Sequence, residues 1–415
     1  MYLALFSVAF GSLLTLLQAG ALFHMLGLNA YVSYRAVLNT MNNFAPFLCL
    51  GFDTAAPVLR RMHPGFPFFW NLLTVHFLAL ILFLLTSISL PGTSKLQPLT
   101  LGLAAGTSVA AALTLANYHR TEGGIRRYFL HINVVDRIVR TAIILGLAIL
   151  VHDVLLWSIL MATLCFAYVG VTSRQTGVRV QVDAKIFWCH LRTSCPYIFS
   201  ALGIILLTRL PFYVAYLTLG KLATAKIDFW LMVCLFLLIP VLNKSKIEEA
   251  NSTGLAREYL VTMKKSWRRL LQQELMVAGG IVAVSCAAAW YGRAAKSDLV
   301  SIVLPLMLGM ILIASQPNYV QVLCFFEKYL AGVKVSVVIA VVAMLAYLPK
   351  LVFTWLPIPG LFIASAVLYC ALGCAIARRL NLKVGDFWRW RDALVVGACS
   401  TVVLSAAYFL IGGRT

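Results

Sequence analysis

Stretches of about 20 apolar residues, separated by short polar and basic connections, recur from one end of the chain to the other. Thirteen such segments are predicted, at 2–25, 32–58, 66–90, 98–118, 129–151, 154–172, 195–219, 227–243, 273–292, 299–320, 333–351, 358–377 and 393–412. At 1.5 Å per residue, about 20 residues cross roughly 30 Å of hydrocarbon. A backbone exposed to lipid must satisfy its own hydrogen bonds, so each segment is expected to be helical. The first lacks a basic leading stretch and is longer than the core of a signal peptide, which makes it a span. The pattern predicts an all-α polytopic membrane bundle of about 13 (12–14) transmembrane helices.

Composition agrees: 61% of residues are hydrophobic and 12% charged, whereas a soluble domain is about 45–50% apolar and about 25% charged. The net charge of +20 does not point to nucleic acid, because the basic residues sit in short loops and form no aromatic-interleaved patch. With the N-terminus inside, 23 of the 34 Lys and Arg fall in inside loops and 7 outside, which fixes a cytoplasmic N-terminus by the positive-inside rule. Thirteen spans then put the C-terminus outside; twelve or fourteen put it inside. The ten cysteines are scattered without a CxxC pair or zinc spacing, so neither a metal nor a disulfide is expected. Outside connections of about seven residues, with no HExxH, GxSxG or Walker loop, argue against an enzyme.

Two inside loops are longer than the rest, 173–194 and 244–272. Within the second, Leu255, Tyr259, Met263, Trp267 and Leu270 at helical spacing among Lys264, Lys265, Arg268 and Arg269 predict an amphipathic helix at the headgroups. The connection Glu122-Gly123-Gly124-Ile125-Arg126 before the fifth segment has a faint echo in Leu330-Ala331-Gly332-Val333-Lys334 before the eleventh. Two six-helix lobes with parallel pseudo-symmetry would follow: lobe 1–172, basic linker 173–194, lobe 195–380, and an additional segment in 381–415.

Ionisable residues inside spans are costly and tend to face a bundle interior or a wet cavity. In the second segment Arg35, Asn39, Asn42 and Asp53 fall on one helix face, either lining a cavity or bonding neighbouring helices. The fifth carries Asp136, Arg137 and Arg140, with Asp136 and Arg140 at i, i+4. Arg209 lies deep in the seventh, two residues before Pro211, where a kink is expected. Counted this way, four in-span arginines face two aspartates, a balance that suits a phosphate-bearing substrate. Asp53 and Asp136 are the candidates for ion coupling; no cofactor is called for beyond a driving H+ or Na+.

The opening Phe6-Ser7, Gly11-Ser12-Leu13-Leu14 and Leu26-Gly27-Leu28-Asn29-Ala30-Tyr31 resemble the start of bacterial polysaccharide transporters of the O-antigen flippase (Wzx-like) type. Gly51-Phe52-Asp53-Thr54-Ala55-Ala56 looks like the end of their second helix. The resemblance implies a two-lobed bundle of the multidrug/oligosaccharidyl-lipid/polysaccharide exporter superfamily, opening alternately to either side of the bacterial cytoplasmic (inner) membrane. It implies flipping of a polyprenyl-pyrophosphate-linked oligosaccharide for lipopolysaccharide, capsule or exopolysaccharide. Arg35, Asn39, Asn42, Arg137, Arg140 and Arg209 would line the cavity. The expected partners are the lipid-linked glycan, membrane lipids and other polysaccharide assembly proteins, and no nucleic acid. Two alternatives stand beside it: a multidrug/organic-cation exporter of the same superfamily, and a polytopic glycan polymerase or ligase.

Overall fold

The computed structural model describes residues 2–52, 69–92, 94–122, 131–174, 184–194, 198–199, 202–238, 267–291, 295–316, 329–379, 381, 383 and 388–412. These residues form an all-α, polytopic membrane bundle. Among them, eight helices are long and apolar enough to cross a membrane, and two shorter apolar helices run Leu202–Thr218 and Leu299–Ala314. The chain divides into two compact units, Met1–Leu202 with Leu219–Ala225, and Gly203–Thr218 with Lys226–Thr415.

Unit 1 is built from α1 (Tyr2–Leu48), α2 (Phe69–Ser89), α3 (Leu96–Glu122), α4 (Asp136–Leu150), α5 (Val154–Arg174) and α6 (Ala184–Ser194). The helical run of α1 is broken at Gly27, whose φ of 67° and ψ of 173° belong to a region that essentially only glycine occupies. Nothing lies within 4 Å of where its Cβ would be, so glycine is required there by the backbone and not by space. The chain folds back at this point. Arg137 Nη1 of α4 donates to Thr15 Oγ1 at 3.4 Å and to Asn42 Oδ1 at 3.5 Å. In a straight helix those two acceptors would stand about 40 Å apart. The rings of Phe23 and Tyr31, 5.3 Å apart, close the same hairpin nearer its tip.

Helix α3 is the most enclosed element of unit 1, packed by α1, α2 and α5. Its buried face is made of Ala104, Ala105, Ala110, Ala111, Ala112 and Ala116, small residues that let helices approach closely. At Gly102 the approach leaves no room for a methyl group, since a Cβ would sit 2.5 Å from Thr40 Cβ and 2.7 Å from the Val37 carbonyl oxygen. Gly102→Ala should therefore force α1 and α3 apart and cost about 1–3 kcal/mol. A thermal unfolding series on the purified protein in detergent checks this, and an unchanged midpoint would mean that the crossing is looser than described. His76 Nε2 and Thr114 Oγ1, 3.2 Å apart, tie α2 to α3. Tyr34 donates to the Val151 carbonyl at 3.1 Å and lies against Trp157, which fixes the second limb of α1 to the turn between α4 and α5.

Unit 2 holds most of α7 (Leu202–Thr218) and of α8 (Lys221–Cys234), then α9 (Trp267–Trp290), α10 (Leu304–Ala314), α11 (Tyr329–Val352), α12 (Ile358–Arg379) and α13 (Trp390–Gly412). Helix α7 continues through Pro211. Helix α10 is the buried element here, presenting Leu306, Met307, Met310 and Ile311 to neighbours that include α12 and α13. Of the predicted amphipathic stretch 254–273, residues 254–266 lie outside the described residues, and Trp267 onward forms the first turns of α9 with Leu270 buried. The Gly123-Gly124 connection also lies outside the described residues.

Candidate functional site

A polar core runs through unit 1 where α4 meets both limbs of α1. Asn42 donates its Nδ2 to the Leu38 carbonyl at 2.8 Å, which turns its Oδ1 towards α4. Arg137 Nη1 and Arg140 Nη1 both reach that oxygen at 3.5 Å. One turn further along α4, Thr141 donates to Gln18 Oε1 at 3.4 Å. Arg35 Nη2 donates to Asn39 Oδ1 at 3.2 Å on the same stripe of α1. Asp136 and Arg140 form a buried ion pair at i, i+4. Asp136 Oδ1 and Arg140 Nε have no hydrogen-bond partner, and the hydroxyl of Tyr168 on α5, in electrostatic reach of both residues, also lacks one. Unmade bonds in a buried ionic group are expensive, so this part of the core can accept or release a ligand or a proton at less cost than a fully paired one.

Asn42 stands about 22 Å along its helix from the turn at Gly27. Arg137, half-buried on α4, reaches both limbs of α1. The structure brings together Asn42, Asp136, Arg137 and Arg140 directly, with Arg35 and Asn39 one to two turns along α1. Arg209 lies in unit 2, half-buried on α7. Asp53 lies outside the described residues. Thr141 belongs to the polar face read in the fifth segment; Thr15 and Gln18 were not anticipated.

Unit 2 has an ionic cluster that the sequence reading did not bring together. Arg389 is 4% exposed and meets Glu274 of α9 in a two-pronged pair, Nη1 to Oε1 at 2.8 Å and Nη2 to Oε2 at 3.0 Å. Its Nε donates to Asp392 Oδ2 at 2.7 Å and its backbone N–H to the Ser315 carbonyl at 3.2 Å. Trp388 Nε1 donates to Ser315 Oγ at 2.8 Å. The start of α13 is thereby fastened to the ends of α9 and α10. Elsewhere Lys226 pairs with Asp298 at 2.9 Å, and Asp228 is 1% exposed.

These residues change the charge balance on which the phosphate-bearing substrate rested. The buried charged residues among those described are Arg35, Arg140, Lys350 and Arg389 against Asp136, Asp228, Glu274 and Asp298. Four bases face four acids among these, while Arg137 and Arg209 are half-buried. Among the described residues no group of three His, Cys, Asp or Glu could hold a metal.

No protein-family model matches the chain, and no curated protein matches it. Solved structures do match. An outward-facing multidrug resistance MATE family transporter of the MOP superfamily aligns over 98% of this chain and 95% of its own, with a TM-score of 0.57 at 12% identity. The MATE multidrug transporter DinF-BH aligns over 92% and 94%, at 0.56 and 13%. A MOP superfamily transporter from Pyrococcus furiosus with a binding pocket of reverse polarity gives 98%, 95%, 0.53 and 12%.

The chain has the MATE-type transporter fold. The match extends over nearly the whole chain. It also corrects the expected function: the named folds belong to MATE multidrug transporters, so the flipping of a polyprenyl-pyrophosphate-linked oligosaccharide, with its O-antigen and lipopolysaccharide context, is not upheld.

Proposed function

We propose that the chain is an alternating-access exporter of MATE type that carries small amphipathic organic molecules, organic cations among them, in exchange for H+ or Na+. The observation that carries this reading is the fold likeness to multidrug MATE transporters over 98% of the chain. The balanced buried charges support it, because a cation exporter needs buried acids. On this reading the coupling ion is taken up at Asp136, whose pairing with Arg140 is the exchangeable contact. Arg35, Asn39, Asn42 and Arg137 hold that pair in place, and Arg209 serves unit 2.

The proposal includes the arrangement of spans: about thirteen helices, six per lobe in 1–172 and 195–380, with α13 as the addition, in a bacterial cytoplasmic membrane with the N-terminus inside. Phe187 of α6 stacks on Phe52 at 6.5 Å, which supports placing the end of the second span and the 173–194 linker on the same side. The experiment is efflux of a fluorescent cationic dye from cells stripped of their own exporters. Expression of this chain should lower dye retention, and collapse of the proton and sodium gradients should restore it. Retention equal to that of empty vector, with the protein present in the membrane, would overturn the reading.

A further inference from the structure

Helix α6 (Ala184–Ser194) follows the last span of unit 1 and is too short to cross a bilayer. Its two faces differ. Phe187 and Leu191, at i, i+4, are half-buried, and Phe187 lies in a nearly parallel stack on Phe52, with an angle of 7° between the rings. Phe52 is itself buried and sits four residues beyond the end of α1. This contact holds α6 against the residues that follow the second limb of α1. The other face carries Lys185, Trp188 and Arg192 at successive turns, all exposed, with Trp188 65% exposed.

An indole flanked by cations suits neither bulk water nor hydrocarbon. Its ring belongs at the headgroup level, and Lys and Arg beside it meet lipid phosphates. From the anchoring of one face on Phe52 and the exposed Lys-Trp-Arg stripe on the other, we propose that α6 is an interfacial helix that binds acidic phospholipid headgroups of the adjoining leaflet. Trp188 inserts beside the glycerol region, and Lys185 and Arg192 each neutralise a headgroup charge. This site is independent of what the transporter carries.

Hydrogen–deuterium exchange of the full-length protein tests it, in nanodiscs of pure phosphatidylcholine and of phosphatidylcholine with phosphatidylglycerol. Exchange over 184–194 should be slower in the acidic discs, by about fivefold for each engaged cation. High salt should narrow the difference. The Lys185→Gln/Arg192→Gln variant, which keeps good helix formers, should lose the lipid dependence, and Lys185→Arg/Arg192→Lys should retain it. Equal exchange in the two compositions overturns the proposal. If both are fast the face is in water, and if both are slow it is covered by protein or held by neutral lipid.

Discussion

Arg389→Ala is expected to lower the stability of the purified protein by about 3–5 kcal/mol, the usual result of removing one partner from a buried ion pair. The size follows from what stays behind. Glu274 is 5% exposed and would be left buried without the two-pronged guanidinium that satisfies both its oxygens. Asp392 would lose its Nε contact as well. The backbone bond from residue 389 to Ser315 survives the substitution, so the connection to α10 should outlast that to α9. The double variant Arg389→Met/Glu274→Leu should recover much of the loss, because apolar residues of similar volume replace a buried pair at little cost. Thermal or denaturant unfolding in detergent reads both numbers. A single variant within about 0.5 kcal/mol of the original protein would mean that water reaches the cluster and screens it.

The membrane class and most of the spans were legible because length and apolar content are properties of each segment by itself. The i, i+4 pair of Asp136 and Arg140, and the stripe of Arg35, Asn39 and Asn42, were legible for a similar reason, since helical spacing alone places them together. The Glu274 to Arg389 pair was not. Arg389 fell in a predicted inside loop and Glu274 at the start of the ninth segment, where it was left out of the in-span charges, and no periodicity links positions 115 apart. Asp228 was passed over in the same way. Leaving these acids out of the count produced the apparent excess of buried arginine, and from it the expectation of a phosphate-bearing substrate. The polar contacts of Thr15 and Gln18 depend on the reversal at Gly27, which brings the first limb of α1 against α4. The motif resemblance led to a fold of this type but not to its cargo, since the solved structures of the same fold named above are MATE multidrug transporters.

Asp136→Asn should reduce gradient-driven dye efflux by about tenfold or more, the loss expected when a charge-assisted contact of about 1.5–3 kcal/mol is removed. Asp136 is 1% exposed and paired with Arg140 along one face of α4, while its Oδ1 makes no hydrogen bond. A carboxylate in that position can exchange its bond to Arg140 for a proton. The amide cannot, although it preserves the shape and leaves α4 packed. Arg140→Gln acts from the other side: it removes the cation paired with Asp136 and should uncouple efflux from the ion gradient. Arg140 also shares the Asn42 oxygen with Arg137, so Asn42→Leu should give a smaller loss that leaves coupling intact. The decisive measurement is in proteoliposomes, with dye movement and internal pH or sodium followed together at matched protein content. If Asp136→Asn moves dye and ion at the original ratio, Asp136 is a structural carboxylate and the coupling ion binds elsewhere. Loss of both fluxes from a protein that still unfolds at the original temperature is the expected result, and it separates a role in the transport cycle from one in holding α4 to α1.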